Sequence, residues 1–207
     1  NMLYQHLKQV CEQVGLEIPQ ALQADLVQAA AFKAEPGYFL AFTQHDACPD
    51  NCLWAGEQMR FFDFEWGGFR HALGDGVRAW SNFPTCWCVN RLPVEIIRHT
   101  LAIYRQELVK ACPAARDDTL WGQEVVKACA YWTLFSIASY GDLWQEDRTW
   151  GRSTMRQRMV IRFELLAQVA AEYEHLEALG EFAQTLVLKL QQLWPELEPM
   201  PYYPAFS

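Results

Sequence analysis

Between residues 46 and 65 the chain places five carboxylates, Asp46, Asp50, Glu57, Asp63 and Glu65, with Arg60 the only Lys or Arg among them. Such a set suits a divalent cation carrying phosphate. Magnesium takes hard oxygen ligands, uses one or two carboxylates, and leaves its other positions to water and phosphate. Moving a phosphoryl group onto a hydroxyl needs one further Asp beside the acceptor, to orient it and take its proton. Asp46 and Asn51 form D-x-x-x-x-N, and Asp63-Phe64-Glu65 follows. With nine Asp and four Asn in the chain, Asp-x4-Asn alone arises by chance roughly 0.2 times. Its weight comes from the conjunction with a strand before it, a hairpin after it, and Asp-Phe-Glu where the hairpin ends.

The cysteines offer a competing chemistry. Cys48-x3-Cys52 and Cys86-x-Cys88 suggest zinc, but the second pair is tighter than the two-to-four-residue spacing usual for structural sites. A nucleophilic Cys48/His45 pair ranks lower still, because no third orienting group is indicated.

The elements that must position these residues read as follows. Leu3, Leu7, Val10 and Val14 recur at helical spacing, and Leu22, Leu26 and Ala30 resume it after a break at residues 15–19. Pro36-Gly37 stops the second helix. YFLAFT, from Tyr38, reads as a buried strand. Cys52–Trp54 and Met59–Phe64 read as a hairpin turning at residues 55–58, and WGGFRHALGDG as a glycine-rich connection. Beyond Pro93 all is helix: Val94, Ile97, Leu101, Tyr104 and Leu108 form an amphipathic stripe. Asp117 or Asp118 caps a central helix running to about Tyr140. Two more helices are marked by Met159, Phe163, Leu166 and Ala170 and by Phe182, Leu186, Leu190 and Leu193. The five arginines Arg148, Arg152, Arg156, Arg158 and Arg162 read as a solvated helix face. Trp80, Trp87, Trp144 and Trp150 are open to a cleft-lining role.

The expected fold is mainly α with a small β-hairpin insert, an α+β single domain over 1–207. Residues 1–37 form helices, 38–80 the loop and hairpin, and 81–207 a helical subdomain. A charge of −8 argues against general nucleic-acid binding, which needs Lys and Arg to displace counterions. The longest uncharged stretch, Ala128 to Gly141, has fourteen residues, short of the roughly 20 a bilayer span needs. NMLYQHLKQV has no basic region leading into an apolar run, and the expectation is a cytoplasmic protein with reduced thiols. The oligomeric state is not indicated.

QHDACPDN followed by FFDFEWGGFRHALGD resembles the catalytic core of the aminoglycoside phosphotransferase and choline kinase family, within the protein-kinase-like superfamily. That family's loop reads His-Gly-Asp, four residues, Asn, and its metal segment Asp-Trp/Phe-Glu. The resemblance is specific over residues 40–80. It implies that Asp46 is the catalytic base, that Asn51 and Asp63 hold Mg2+, and that Asp75 braces the catalytic loop. Gln44 stands at the family's His and supports the loop, and His45 stands at its Gly. Glu65 is either a pocket carboxylate or a hydrogen-bonding residue. The implied activity is transfer of the ATP γ-phosphoryl group to a hydroxyl of a small acceptor, and the acidic loop is compatible with a cationic one such as an aminoglycoside or amino alcohol.

Such an enzyme also needs a nucleotide lobe. Five strands with their connections take roughly 40–55 residues, plus a helix. Only 43 residues precede Gln44, most of them reading as helix, and neither G-x-G-x-x-G nor G-x4-G-K-[ST] occurs. Lys8 and Lys33 lie in helical contexts. The expectation is a C-terminal lobe without its nucleotide lobe, through truncation, proteolysis or natural loss, inactive by itself. The alternative is a noncatalytic kinase-like binding module.

Overall fold

A computed structural model describes residues 2–206. Two helices, α1 (Met2–Val14) and α2 (Leu22–Ala34), precede the strands. The helical stripe is what buries α1, since Leu3, Leu7, Val10 and Cys11 all face inward. After the strands come α4 (Val94–Leu108), α5 (Asp118–Ser136), α6 (Met155–Glu172) and α7 (Glu177–Leu193), with the one-turn helix α3 (Leu73–Gly76) between strands and helices. Asp117 caps α5 by accepting the Leu120 N–H at 2.9 Å. Thr154 and Gln157 form a reciprocal capping box at the start of α6.

The central position expected of α5 is found. Residues from Trp121 to Ser136 are buried on nearly every face, and the helix packs against α1, α2 and α6. Gly122 lets it approach its neighbour, because a Cβ there would come within 2.7 Å of the Tyr173 ring. One continuous apolar core runs from Leu3 to Met200. Each fully buried Leu in it contributes about 1.5–3 kcal/mol.

Among the described residues, six short strands make three two-stranded antiparallel sheets. Strand β1 (Leu40–Thr43) pairs with β4 (Gly68–His71), Leu40 opposite His71 and Thr43 opposite Gly68. The hairpin is β2 (Cys52–Ala55) and β3 (Gln58–Phe61), turning at Gly56, which has φ +65°. Strands β5 (Thr149–Trp150) and β6 (Ser153–Thr154) form a small ribbon.

The first strand is not buried as expected. Leu40 and Phe42 are 55% and 57% exposed, and what meets the Phe42 ring is the neighbouring aromatic surface of Phe64 and Phe69. Its partner β4 lies in the segment read as a connection, where Gly67 and Gly68 mask the strand signal. His71 ends β4 by accepting the Leu73 N–H at Nδ1 and facing Glu124 of α5 through Nε2 at 3.2 Å. Lys127 also reaches Glu124, at 2.8 Å. Burial raises the Glu124 carboxyl, but His71 and Lys127 outweigh it and hold the group below its ordinary value.

The arginine reading is corrected. Arg158 and Arg162 are fully buried, at 0% and 1% exposure. Arg158 donates to the carbonyls of Cys86 at 2.7 Å, Trp87 at 2.9 Å and Trp150 at 2.8 Å. Arg162 donates to the Tyr140 hydroxyl at 2.8 Å and to the Pro84 carbonyl at 3.3 Å. The two guanidinium groups organise segment 84–88, which has no regular structure of its own and whose carbonyls need donors. The tryptophans divide: Trp80 is core at 1% exposure, whereas Trp87 is 48% exposed.

Gly151, at φ +67°, turns the β5–β6 ribbon directly against the Trp87 carbonyl, where a Cβ has no room. Gly151→Ala combines left-handed strain with a backbone clash and should lower stability by about 2–3 kcal/mol. Gly15 has the same φ of +67° with open space around it, and Gly15→Ala should lose only about 1 kcal/mol. Urea unfolding midpoints of the two variants check the difference.

Candidate functional site

Strand β1 delivers the chain into the 44–51 loop, and Asp75 of α3 catches it. Its carboxylate accepts the backbone N–H of Gln44 at 2.9 Å and of His45 at 3.0 Å, one on each oxygen. The Gln44 side chain reaches the other way, donating to the carbonyls of Phe62 at 2.5 Å and Asp63 at 3.3 Å. Gln44 thus ties the start of the loop to the segment after β3, and the Phe62 N–H returns to the Asn51 carbonyl at 3.1 Å.

The five-residue spacing closes on itself. Asn51 Nδ2 donates both to the Asp46 carbonyl and to Asp46 Oδ2, each at 3.0 Å. The other Asp46 oxygen accepts the Thr85 hydroxyl. Arg78, 3% exposed, lies 4.0 Å over the Trp132 ring and donates to the His45 carbonyl and, at 3.3 Å, to Thr85 Oγ1. A cation in that position favours the ionised forms of the carboxylates around it. Asp75 feels both influences. Burial is the larger and raises its carboxyl, while Arg78 and the two backbone N–H groups pull the other way.

The structure brings Gln44, Asp46, Asn51, Asp75 and the Asp63 backbone into one hydrogen-bonded unit. Asp63 holds a left-handed φ of 59° just beyond β3, and its side chain is exposed. Glu65 is exposed on the turn closed by the Gly67 N–H to the Phe64 carbonyl at 2.8 Å, and it does not join the unit. Thr85 and Arg78 belong to the site and were not among the residues singled out from sequence. Nothing in the sequence marks Thr85, which sits 39 positions from Asp46. Arg78 carried one faint signal, three residues after Asp75.

The oxygen donors around the loop are of the kind a hard divalent cation takes. With the Asn51 amide nitrogen committed to Asp46, its Oδ1 is the ligand atom that remains, and Asp63 offers an exposed carboxylate. One amide oxygen and one carboxylate leave positions for phosphate and water, as magnesium prefers. A cavity of about 540 Å³ opens beside the loop, walled by Cys48, Cys52, Trp54, Met59, Phe61 and Thr100.

His45 is placed against this unit at φ 66°, with its ring 5.0 Å from that of Trp132. Burial first, then the charges of Arg78, Arg70 and Lys33, lower its pKa from 6.5 to about 4. The imidazole is therefore neutral at neutral pH and is no competing cation for Asp46. A lowered histidine pKa means the unfolded chain takes up the proton first. The stability that neutral His45 supplies is complete above pH 6.5 and is lost as pH falls toward 4. The expected loss is on the order of 2 kcal/mol once partial solvent screening is allowed for. Asp75, with its raised carboxyl, opposes part of it. An NMR titration should place His45 near pH 4, well below an unperturbed histidine.

No family model matches the chain, and no curated protein matches it significantly.

Proposed function

We propose that the chain is the catalytic lobe of a protein-kinase-like small-molecule phosphotransferase, one that moves the ATP γ-phosphoryl group to a hydroxyl. The observation that carries this reading is the closed Asp46–Asn51 pair, braced from behind by Asp75 and joined through Gln44 to the Asp63 segment. Asp46 is the base. Asn51 holds it by two hydrogen bonds, so its carboxylate faces an acceptor in a fixed orientation, and positioning is most of what phosphoryl transfer needs. Asn51 Oδ1 and the Asp63 carboxylate would hold Mg2+, which when bound neutralises charge on the phosphates. An acceptor hydroxyl displaces Thr85 from Asp46 and donates its proton there.

The same reading explains the surface. Tyr38, Phe42, Trp54, Phe64, Trp66 and Phe69 are each at least 50% exposed. They lie on β1, β4 and the hairpin and on the segments that flank them, with Phe42 in ring contact with Phe64 and Phe69. Apolar area of this kind marks a surface made to be covered. We assign it to contact with a nucleotide-binding lobe. Trp54 and Phe61 in the cavity wall suit a cationic acceptor lying over aromatic faces. No helix among the described residues is long and apolar enough to cross a membrane, and the proposed setting is the cytoplasm.

The noncatalytic alternative has an observation of its own: both Asp46 oxygens are already engaged, by Asn51 and Thr85. ADP release by the whole protein that carries residues 1–207, over a panel of hydroxylated amines, separates the two. The phosphotransferase reading expects acceptor-dependent release, abolished by Asp46→Asn, and almost none from the 207 residues alone. Silence across the panel would leave the binding module.

A further inference from the structure

The sequence pairs cysteines as Cys48 with Cys52 and Cys86 with Cys88, but the fold regroups them. Cys52 turns away, its thiol reaching the Cys48 carbonyl at 3.4 Å. Cys48 Sγ, Cys86 Sγ and a carboxylate oxygen of Asp50 instead lie within 4.8 Å of one another. Cys86 Sγ is 3.7 Å from Asp50 Oδ1 and 3.2 Å from Cys88 Sγ. Zinc–sulfur bonds of about 2.3 Å in a tetrahedron put sulfurs about 3.8 Å apart, so the Cys48–Asp50–Cys86 trio needs only small adjustments. Cys88, which touches Cys86 but lies outside that trio, must swing toward it to become the fourth ligand. Cys48 and Cys86 are buried, at 3% and 0% exposure, while Asp50 is exposed and leaves an entry path.

Charge points the same way. Arg158 and Arg162 are buried without a carboxylate partner among the described residues. Arg158 holds the carbonyls of Cys86 and Trp87, so this cation stands against the backbone of the thiol cluster. Buried cations need anions nearby. A zinc ion with three thiolates and one carboxylate carries a net charge of −2 and supplies them.

We infer that Cys48, Asp50, Cys86 and Cys88 form a zinc site that staples the 44–51 loop to segment 84–88. Thiolates select zinc over magnesium, so the two proposed metal sites do not compete for one ion. The staple spans the interval between Asp46 and Asn51 and joins it to the strand of chain that carries Thr85. It holds the loop whether or not the loop transfers phosphate.

The test is metal titration of the reduced 207-residue chain with zinc alone, then with cobalt as a spectroscopic stand-in. One equivalent of zinc should bind, and cobalt should give the intense visible bands of a tetrahedral site together with a thiolate charge-transfer band. Zinc should shield Cys88, the accessible thiol of the group, from alkylation and leave Cys52 reactive. Cys88→Ser should weaken zinc binding roughly 10–100-fold, and Cys86→Ser more, while Cys52→Ser should change nothing. The wild-type cobalt spectrum and alkylation pattern do not depend on any variant folding. An octahedral cobalt spectrum, no stoichiometric zinc, equal shielding of Cys52, or a Cys48–Cys86 disulfide formed in place of zinc uptake would each overturn the site.

Discussion

Arg158→Ala should lower folding stability by about 3–5 kcal/mol, the largest effect expected of any single side chain outside the apolar core. The guanidinium is fully buried and holds three carbonyls, those of Cys86, Trp87 and Trp150. Truncation strands three acceptors and opens a cavity the size of the side chain, and each stranded buried group costs about 1–3 kcal/mol. Arg158→Lys should recover little, since one ammonium cannot span three diverging acceptors as the planar fork does. Arg98→Ala is the control. Its bidentate pair with Glu172 looks as good on distance, at 2.8–3.1 Å, but lies on the surface, and its loss should register below about 1 kcal/mol. Denaturant unfolding of the three variants settles the ranking.

The second large effect is at Asp75. Asp75→Ala removes the acceptor of two backbone N–H groups, those of Gln44 and His45, and takes away the carboxylate that balances buried Arg78. The expected loss is about 3 kcal/mol, and more specifically the 44–51 loop should come loose. Hydrogen exchange at the Gln44 and His45 amides should rise to the rate of an exposed loop while amides of α5 slow or quicken only with global stability. Asp75→Asn keeps one acceptor oxygen and should lose about half as much. Asp63→Ala, at an exposed carboxylate, should be nearly silent in stability. If Asp75→Ala and Asp63→Ala unfold alike, the brace is not a brace.

These predictions mark where the sequence was readable. The Asp46 and Asn51 positions were legible because both lie within one loop, five positions apart, whereas the hydrogen bond between them was not. The hairpin was legible for the same local reason, and the helices because burial imposes a 3.6-residue period on residues such as Ile97 and Leu101. Thr85 on Asp46 was not legible, since a bond across 39 positions between common residue types leaves no local pattern. Nor was Arg158 on Cys86, across 72 positions. Arginine in an amphipathic run defaults to solvent, and only the unpaired carbonyls of segment 84–88 reverse that. The pairing of β1 with β4 was hidden by Gly67 and Gly68, and the exposure of Phe42 by the sheet having only two strands. The cysteines failed in the opposite sense: Cys48 and Cys52 are near in sequence, but the fold sets the Cys48 thiol against Cys86 and Asp50 instead.

The central claim is that Asn51 and Asp63 hold a phosphate-bound divalent cation beside Asp46. Manganese, a paramagnetic ion with the same taste for oxygen as magnesium, tests it most directly. Added at low stoichiometry with ATP to the isotopically labelled chain, it should broaden the NMR signals of Asp46, Asn51 and Asp63 before any others. That focus should vanish in Asp63→Asn and persist in Cys86→Ser, which separates it from the zinc site. Broadening spread over the acidic surface, or focused broadening that survives Asp63→Asn, would contradict the account.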